Sequence, residues 1–127
     1  MKIRDQIHGG VRILSPAGRI DHSNSEEFLR LLHPFVGRCK SGGESLIIDL
    51  GEVDYISSAG LRCFMLAEKQ AGAQGGAILI AAMQPVVKEI FEISRFTLVF
   101  EAFATVREAV AKLSSAALSD YDAQHAA

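Results

Sequence analysis

The sequence predicts a single α/β domain in which helices pack over a mixed central β-sheet of about five strands. Three observations carry this prediction. Two β-type segments flank the dipeptide Gly9-Gly10, two later segments are short and apolar enough to be buried strands, and amphipathic helix patterns separate the later strands. A chain of 127 residues builds one core of useful size. The expected order of elements is β-β-α-β-α-β-α-β-α.

The first two strands and the first helix occupy the opening third of the chain. Strands are predicted over 2–8 and 11–17, joined by the glycine hairpin. Ser23 and Glu26 form a capping-box pattern that opens a helix. Pro34 conflicts with that helix because it lacks an N–H, and it predicts a kink or an early stop. The apolar stripe of the helix comprises Phe28, Leu31, Leu32, Phe35 and Val36.

Two buried strands and the helix between them form the predicted centre of the fold. Residues 45–50 and 77–82 are short apolar runs, which are typical of strands covered on both faces. A loop is predicted after the first run, followed by a helix whose apolar residues begin at Leu61 and which ends in the glycines of 72–76. This arrangement predicts a parallel strand pair with a right-handed crossover.

The last part of the chain is predicted to hold two helices and one short strand. Pro85 suits the first position of a helix, and a last strand is predicted over 98–100. Thr105 and Glu108 form a second capping box that opens the final helix. Beyond that helix the apolar stripe fades, so the domain is expected to span 1–113 and residues 114–127 to form a frayed helix end or a flexible tail.

Composition excludes several classes of function. The formal net charge is −2 and the basic residues are scattered, so neither nucleic acid nor an anionic membrane surface is expected as a partner. No apolar stretch is long enough to cross a bilayer. Cys39 and Cys63 lack metal-ligand spacing and are expected to be small buried hydrophobes, which fits a cytoplasmic protein without metal or cofactor.

The most informative segment runs from Asp49 to Leu61 and enters a helix at Ser57 and Ser58. A helix start exposes unpaired N–H groups and the positive end of the helix dipole, which favour a phosphate. Serine is also a preferred helix cap, so on local grounds either serine could serve only as a cap. Ala59 and Gly60 keep the first turn small, so that another protein could approach closely.

Four segments, in order, resemble the STAS domain of bacterial anti-sigma factor antagonists. The resemblance extends over roughly residues 2 to 113. Its most specific part is the serine motif, whereas the strands alone would carry little weight. The four segments are Gly18-Arg19-Ile20-Asp21, Leu46-Ile47-Ile48-Asp49-Leu50, Ile56-Ser57-Ser58-Ala59-Gly60-Leu61 and Ala104-Thr105-Val106-Arg107-Glu108-Ala109-Val110.

The resemblance implies a non-enzymatic switch. A serine kinase that is itself the anti-sigma factor, with a histidine-kinase-like ATPase fold, would bind the unmodified protein and phosphorylate Ser58. A serine phosphatase of the PP2C type would reset it. The family motif often has an aspartate where Ser57 stands and a second serine where Ala59 stands, which leaves Ser57 as a second candidate acceptor. The residues expected to contact the partner are Asp21, Ser57, Ser58, Ala59, Gly60, Arg62 and Met65.

The sequence leaves two questions about these expected partner contacts unanswered. Asp21 either contacts the partner or orients the kinase reaction, or it is a carboxylate that only stabilises a turn or caps a helix. On the outer side of the second helix, near Arg62 and Lys69, Met65 and Leu66 are either exposed for a partner or part of the core.

Three alternative functions are considered. A hydrolase would need a base such as His22 beside Ser58, and Ile56 replaces the leading glycine of a nucleophile elbow. A phospho-aspartate receiver would use Asp54, but the acidic pair expected after the first strand is absent. A STAS domain could also act as a ligand-binding module or a lipid-transport subunit without a phosphorylation switch.

Overall fold

The computed structural model describes residues 1–126 and confirms a single α/β domain with a mixed sheet. Its strands are β1 (Ile3–His8), β2 (Val11–Ile20), β3 (Ser45–Asp49), β4 (Glu52–Ile56), β5 (Ile78–Ala81) and β6 (Ala102–Phe103). Its α-helices are α1 (Ser25–Arg38), α2 (Ser58–Ala73), α3 (Pro85–Ile93), α4 (Val106–Leu113) and α5 (Ser115–Gln124), and a 3-10 helix spans Phe96–Leu98.

The sheet has the order β1-β2-β3-β5-β6, and β4 pairs with the far half of β2. Among the strand pairs of residues 1–126, only the opening hairpin is antiparallel; β2, β3, β5 and β6 are parallel neighbours, and β4 is parallel to β2. Ile47 of β3 lies opposite Ile13 on one side and Leu79 on the other, so the predicted parallel pairing of the two apolar strands is confirmed. These central strands are apolar on both faces because helices cover both faces.

Successive residues of β3 point into two separate cores. Ile48 packs with α1, α2 and α3 around an aromatic cluster that contains Phe64 and Phe91, whose ring centroids lie 5.8 Å apart. Ile47 packs on the opposite face against α4 and α5, where Val110 and Ala117 are fully buried. The first core lies under the helix that carries the two serines and holds that helix in place.

The expected loop after Leu50 is wrong, because residues Glu52–Ile56 form β4. Alternation of charged Glu52 and Asp54 with buried Val53 indicates a strand with one buried face, and this pattern is short enough to be read as a loop. β2 is also longer than expected. It continues past residue 17 to Ile20, with Gly18 at φ 88° beside an irregularity in its register with β4. A residue that adopts positive φ lets the strand continue through a local bend.

The last strand also differs from the prediction. Residues 98–100 are not a strand: a 3-10 helix spans Phe96–Leu98, and β6 follows at Ala102–Phe103. Arg95 adopts φ 61°, which ends α3 and turns the chain. Phe100 is buried in the aromatic cluster, so its apolar character reflects core packing between elements.

The start and middle of α1 depart from the predicted details. Its N-cap is Asn24, without a side-chain capping bond, and Ser23 donates its hydroxyl hydrogen to Asp21 instead. The helix continues through the exposed Pro34 to Arg38, so the early stop is wrong. Buried Phe28, Leu32 and Val36 pack on both sides of the proline, and this packing outweighs the missing backbone hydrogen bond.

A separate helix occupies most of the segment that was expected to be frayed or flexible. Helix α5 begins at its own cap, where the Ser114 hydroxyl accepts from the Ala117 N–H at 3.1 Å. It packs on the end of β1, where the buried His8 has Nδ1 2.7 Å from Asp120 Oδ2 and Nε2 2.8 Å from Gln6 Oε1. This contact joins residues 112 positions apart, so no local pattern in the sequence indicates it.

Candidate functional site

The serine pair and Asp21 lie at one rim of the sheet, where β2 and β4 end side by side. Ile20 and Ile56, the last residues of these parallel strands, are register partners. The Ser57 N–H donates a 2.9 Å hydrogen bond to the Ile20 carbonyl oxygen. The chain turns away from the sheet at Asp21 on one strand and at Ser57 on the other, so the two loops are neighbours.

The structure gives the two serines different environments. Ser57 is the N-cap of α2, with an extended backbone, and its hydroxyl oxygen accepts from the Gly60 N–H at 3.3 Å. Ser58 is the first helical residue and is exposed. Within residues 1–126, no side-chain hydrogen bond engages the Ser58 hydroxyl. The capping role therefore belongs to Ser57, and the Ser58 hydroxyl is open to solvent.

Gly60 lets the first turn of α2 lie directly against the strand ends. A Cβ on Gly60 would lie 2.8 Å from the Ile20 carbonyl oxygen and 2.8 Å from Ile56 Cγ2. Both atoms belong to the packed interior, so a larger residue would push the helix start away from the sheet. Gly60 therefore acts as a close-packing residue, and it is itself buried.

Asp21 is held in a network of hydrogen bonds within its own loop. Its Oδ1 accepts from the N–H and the hydroxyl of Ser23, at 2.9 and 2.6 Å, and its Oδ2 accepts from Arg19 Nε at 3.0 Å. These donors, led by the Ser23 hydroxyl and the Arg19 guanidinium, lower the pKa of Asp21 to about 2. Asn24 closes the loop by accepting from the Asp21 N–H and donating to the Arg19 carbonyl oxygen. The contacts of Asp21 are those of a turn carboxylate, and it is a fixed anion at this rim.

Arg19 links this loop to β4. Its guanidinium carbon lies 4.4 Å from the centroid of the Tyr55 ring, while its Nε is bonded to Asp21. Sequence reasoning missed the parts played by Arg19, Ser23 and Asn24. A polar side chain two or three residues after Asp21 is the pattern of a side-chain-stabilised turn, and it is the signal that could have identified this loop.

The outer face of α2 continues from the serines as a mixed apolar and basic surface. Met65 and Leu66 are exposed over 39% and 37% of their surface, so both lie outside the core. Arg62 and Lys69 are exposed on the same helix. Leu66 also lines an apolar groove between α1 and α2, together with Leu29, Leu32, His33, Val36, Ala67 and Gln70.

Cys63 joins the second turn of α2 to the start of α1. Its thiol is buried and donates to the Ser25 carbonyl oxygen at 3.3 Å. Burial raises the pKa of this thiol, and likewise that of the buried Cys39, whose Sγ donates to the Ala77 carbonyl oxygen. Both cysteines are the small buried residues that the sequence predicted, and both keep their thiols protonated at neutral pH.

The geometry bears on the alternative functions as well. In residues 1–126, no hydrogen bond joins His22 to Ser58, which the hydrolase alternative requires. Asp54 lies inside β4 and not at the end of a strand, where a receiver holds its acceptor. Among the helices of these described residues, none has the length and apolar character needed to span a membrane.

Comparison with known proteins agrees with this architecture. The chain matches the model of the STAS domain over residues 2–109. It is 35% identical over 118 residues to a Bordetella bronchiseptica protein that bears the name anti-sigma factor antagonist BtrV, with 93% of this chain and 98% of that protein covered.

Solved structures share the fold at lower identity. A STAS domain protein of Planctomyces limnophilus superposes with a TM-score of 0.79 at 17% identity, covering 89% of this chain and 98% of that one. The Bacillus anti-sigma factor antagonist SpoIIAA has been solved in two forms. Its unphosphorylated form gives a TM-score of 0.70 at 16% identity over 88% and 96% of the two chains, and its phosphorylated form gives 0.65 at 15% over 89% and 100%. The family match and the BtrV relationship together show that this chain belongs to the STAS domain family.

Proposed function

We propose that this protein is an anti-sigma factor antagonist that binds a kinase-type anti-sigma factor and is released when that kinase phosphorylates Ser58. The observation that carries the proposal is the separation of roles between the serines: Ser57 caps α2, whereas Ser58 is exposed and its hydroxyl is not engaged within residues 1–126. A kinase can use a hydroxyl of this kind without breaking the fold. The names of BtrV and SpoIIAA, and the solved phosphorylated form of SpoIIAA, support the same assignment.

The partner surface in this proposal surrounds Ser58. It comprises the rim loop with Asp21, the small residue Ala59 and the outer face of α2 with Arg62 and Met65, whereas the buried Gly60 supports this surface from beneath. The small side chain of Ala59 allows the active site of a kinase to approach Ser58, and Met65 supplies an exposed, adaptable apolar contact. The kinase would have a histidine-kinase-like ATPase fold, a serine phosphatase of the PP2C type would restore the binding form, and the cycle would run in the cytoplasm, where ATP is available.

Phosphorylation at Ser58 would act on the interface and leave the fold intact. It adds about −1.5 to −2 charges at neutral pH. The first position of a helix tolerates an anion because the dipole favours negative charge there. In a complex, the same phosphate would be an unpaired charge in a closed interface, which costs about 3–4 kcal/mol and weakens binding by roughly 10²- to 10³-fold.

The test is to recover the partner and find the phosphate. The tagged protein is isolated from its own cells and incubated with ATP together with any kinase that co-purifies, and peptide mass spectrometry locates phosphate in the fragment containing both serines. We expect phosphate on Ser58, none in Ser58→Ala, and release of the kinase from the phosphorylated form. Ser57→Ala is the matched control, since it removes the neighbouring hydroxyl and should leave the acceptor.

Each contrary outcome has a defined meaning. Phosphate on Ser57 alone would keep the switch and move the acceptor. A recovered kinase-like partner without phosphate on either serine would refute the switch, and the protein would then be a constitutive binding module. Recovery of a lipid or another small ligand without a kinase would favour the STAS function in ligand binding or lipid transport.

A further inference from the structure

Arg62 lies one helical turn after Ser58 on the same side of α2. Residues four apart on a helix have Cβ atoms about 5–6 Å from each other. Side chains on a helix lean towards its N-terminus, so a side chain at Arg62 can extend back towards the turn that contains Ser58. Both residues are exposed. A guanidinium at Arg62 is therefore within reach of a group attached to the Ser58 oxygen.

The guanidinium of Arg62 forms no ion pair within 4 Å among residues 1–126. Glu26 of α1 lines the same small cleft as Arg62, together with Ser25, Leu29, Ala59, Cys63 and Leu66, and it is the acidic group that faces Arg62 from the neighbouring helix. No salt bridge joins Glu26 to Arg62, so the guanidinium has a carboxylate nearby without being held by it.

Arg19 is the other basic residue at this rim, and its guanidinium already has contacts within the rim. Arg19 donates to Asp21 and lies over the ring of Tyr55. The Ser23 and Arg19 donors lower the pKa of Asp21 to about 2, so near neutral pH a phosphate on Ser58 would meet a negative charge in the adjacent loop. Like charges at short distance repel, and a counter-charge on the phosphate would offset this repulsion. Arg62 supplies that counter-charge from the same helix.

We propose that Arg62 is the intramolecular counter-ion of a phosphomonoester on Ser58. Its planar guanidinium can donate two hydrogen bonds to phosphate oxygens. By favouring the dianion, it keeps the phosphate close to its full charge of −2 near neutral pH, where free phosphoserine still carries a fraction of monoanion. The occurrence of this phosphate in cells rests on the proposed function, whereas the pairing itself is a property of the chain.

The pairing also distinguishes the two serines. Ser57 is five residues from Arg62, so on a helix of 3.6 residues per turn it faces about 140° away. Its hydroxyl is already turned towards the Gly60 N–H. A phosphate on Ser57 would lack the counter-charge and would replace the cap. Arg62 therefore favours a stable phosphorylated state at Ser58 and not at Ser57.

The test installs phosphoserine at position 58 during translation with an expanded genetic code, and follows its 31P chemical shift against pH at low salt. Replacement of Arg62 by glutamine should raise the midpoint between monoanion and dianion by about 0.2–0.4 pH unit. Arg62→Lys should recover part of the shift, and 0.5 M NaCl should reduce the difference between wild type and Arg62→Gln. Lys69→Gln, on the same helix about 16 Å along its axis from Ser58, should leave the midpoint unchanged.

Equal midpoints for the wild type and Arg62→Gln would refute the pairing, as would an equal rise in Lys69→Gln. A second sample with phosphoserine at position 57 should show no dependence on Arg62, and dependence there would overturn the selectivity for Ser58. Unfolding by urea checks that each variant is folded. Because the phosphate is installed without a kinase, a negative result here leaves the proposed switch intact, and a failure to find phosphate in cells leaves this measurement valid.

Discussion

The backbone N–H of Ser57 donates a 2.9 Å hydrogen bond to the carbonyl oxygen of Ile20. This single bond joins the end of β2 to the start of α2 and places the Asp21 loop beside the serine pair. The site is therefore built on two parallel strand ends, whose register with each other is fixed by the core beneath them. A rigid rim of this kind suits a switch that works by presenting or blocking a surface, and three properties of it can be measured directly, together with one of the distant helix α5.

Ser57→Ala should destabilise the fold by about 1 kcal/mol because it removes the cap of α2. Ser58→Ala should change the free energy of unfolding by less than about 0.5 kcal/mol, since the Ser58 side chain is exposed. Urea unfolding of the two variants, each against wild type, compares neighbouring serines in one helix turn. Equal effects would contradict the division of roles between them.

Gly60→Ala should cost about 1–3 kcal/mol, because the added methyl group would lie 2.8 Å from the Ile20 carbonyl oxygen and from Ile56 Cγ2. Gly72→Ala is the matched control on the same helix. Its added methyl group would meet nothing within 4 Å, so this change should be neutral or stabilising by up to about 1 kcal/mol. Thermal unfolding measures both, and a Gly60→Ala variant as stable as wild type would show that the helix start is not tightly packed.

Asp21 should contribute stability that is lost in acid. Its pKa in the folded protein is about 2, below that of an unfolded aspartate at about 3.9. A lowered pKa means that the contribution is fully present above pH 4–5 and disappears as the pH falls towards 2. The stability difference between wild type and Asp21→Asn, from urea unfolding between pH 2 and 6, should shrink over this interval.

Asp54→Asn provides the control for that titration, since Asp54 is exposed on β4 and forms no ion pair within residues 1–126. Any change with pH in its stability difference from wild type measures the background against which Asp21→Asn is judged. If the stability difference from wild type shrank over the same pH range in Asp54→Asn as in Asp21→Asn, the attribution of the acid sensitivity to Asp21 would be wrong.

His8→Ala should loosen α5. The His8 ring is buried between Asp120 and Gln6 and packs edge-on against Tyr121 at 5.4 Å, so its loss should cost about 2–3 kcal/mol. Hydrogen exchange should become faster first in the amides of α5. His33→Ala, an exposed histidine of α1, is the control and should leave α5 protected. Unchanged protection of α5 in His8→Ala would show that another contact holds the helix.

Much of this fold could be predicted from the sequence because its central elements are marked locally. The apolar runs that became β3 and β5, the proline that opens α3 and the Thr105 cap, which accepts from the Glu108 N–H at 3.1 Å, are confirmed. The start of a helix at the two serines is confirmed as well. Each of these features depends on residues within one or two turns of each other, and their chemistry can be identified without knowledge of their neighbours.

Tertiary structure decided the features that depend on distant partners. The polar-alternating β4 becomes a strand because β2 pairs with it, and α5 is ordered because His8 lies beneath it. Ser57 became the cap and Ser58 the exposed hydroxyl because Ile20 fixes where α2 begins. The sequence by itself determined that a helix starts at a pair of serines; only the packing of strand ends, which joins residues far apart in the chain, determined which serine faces the solvent.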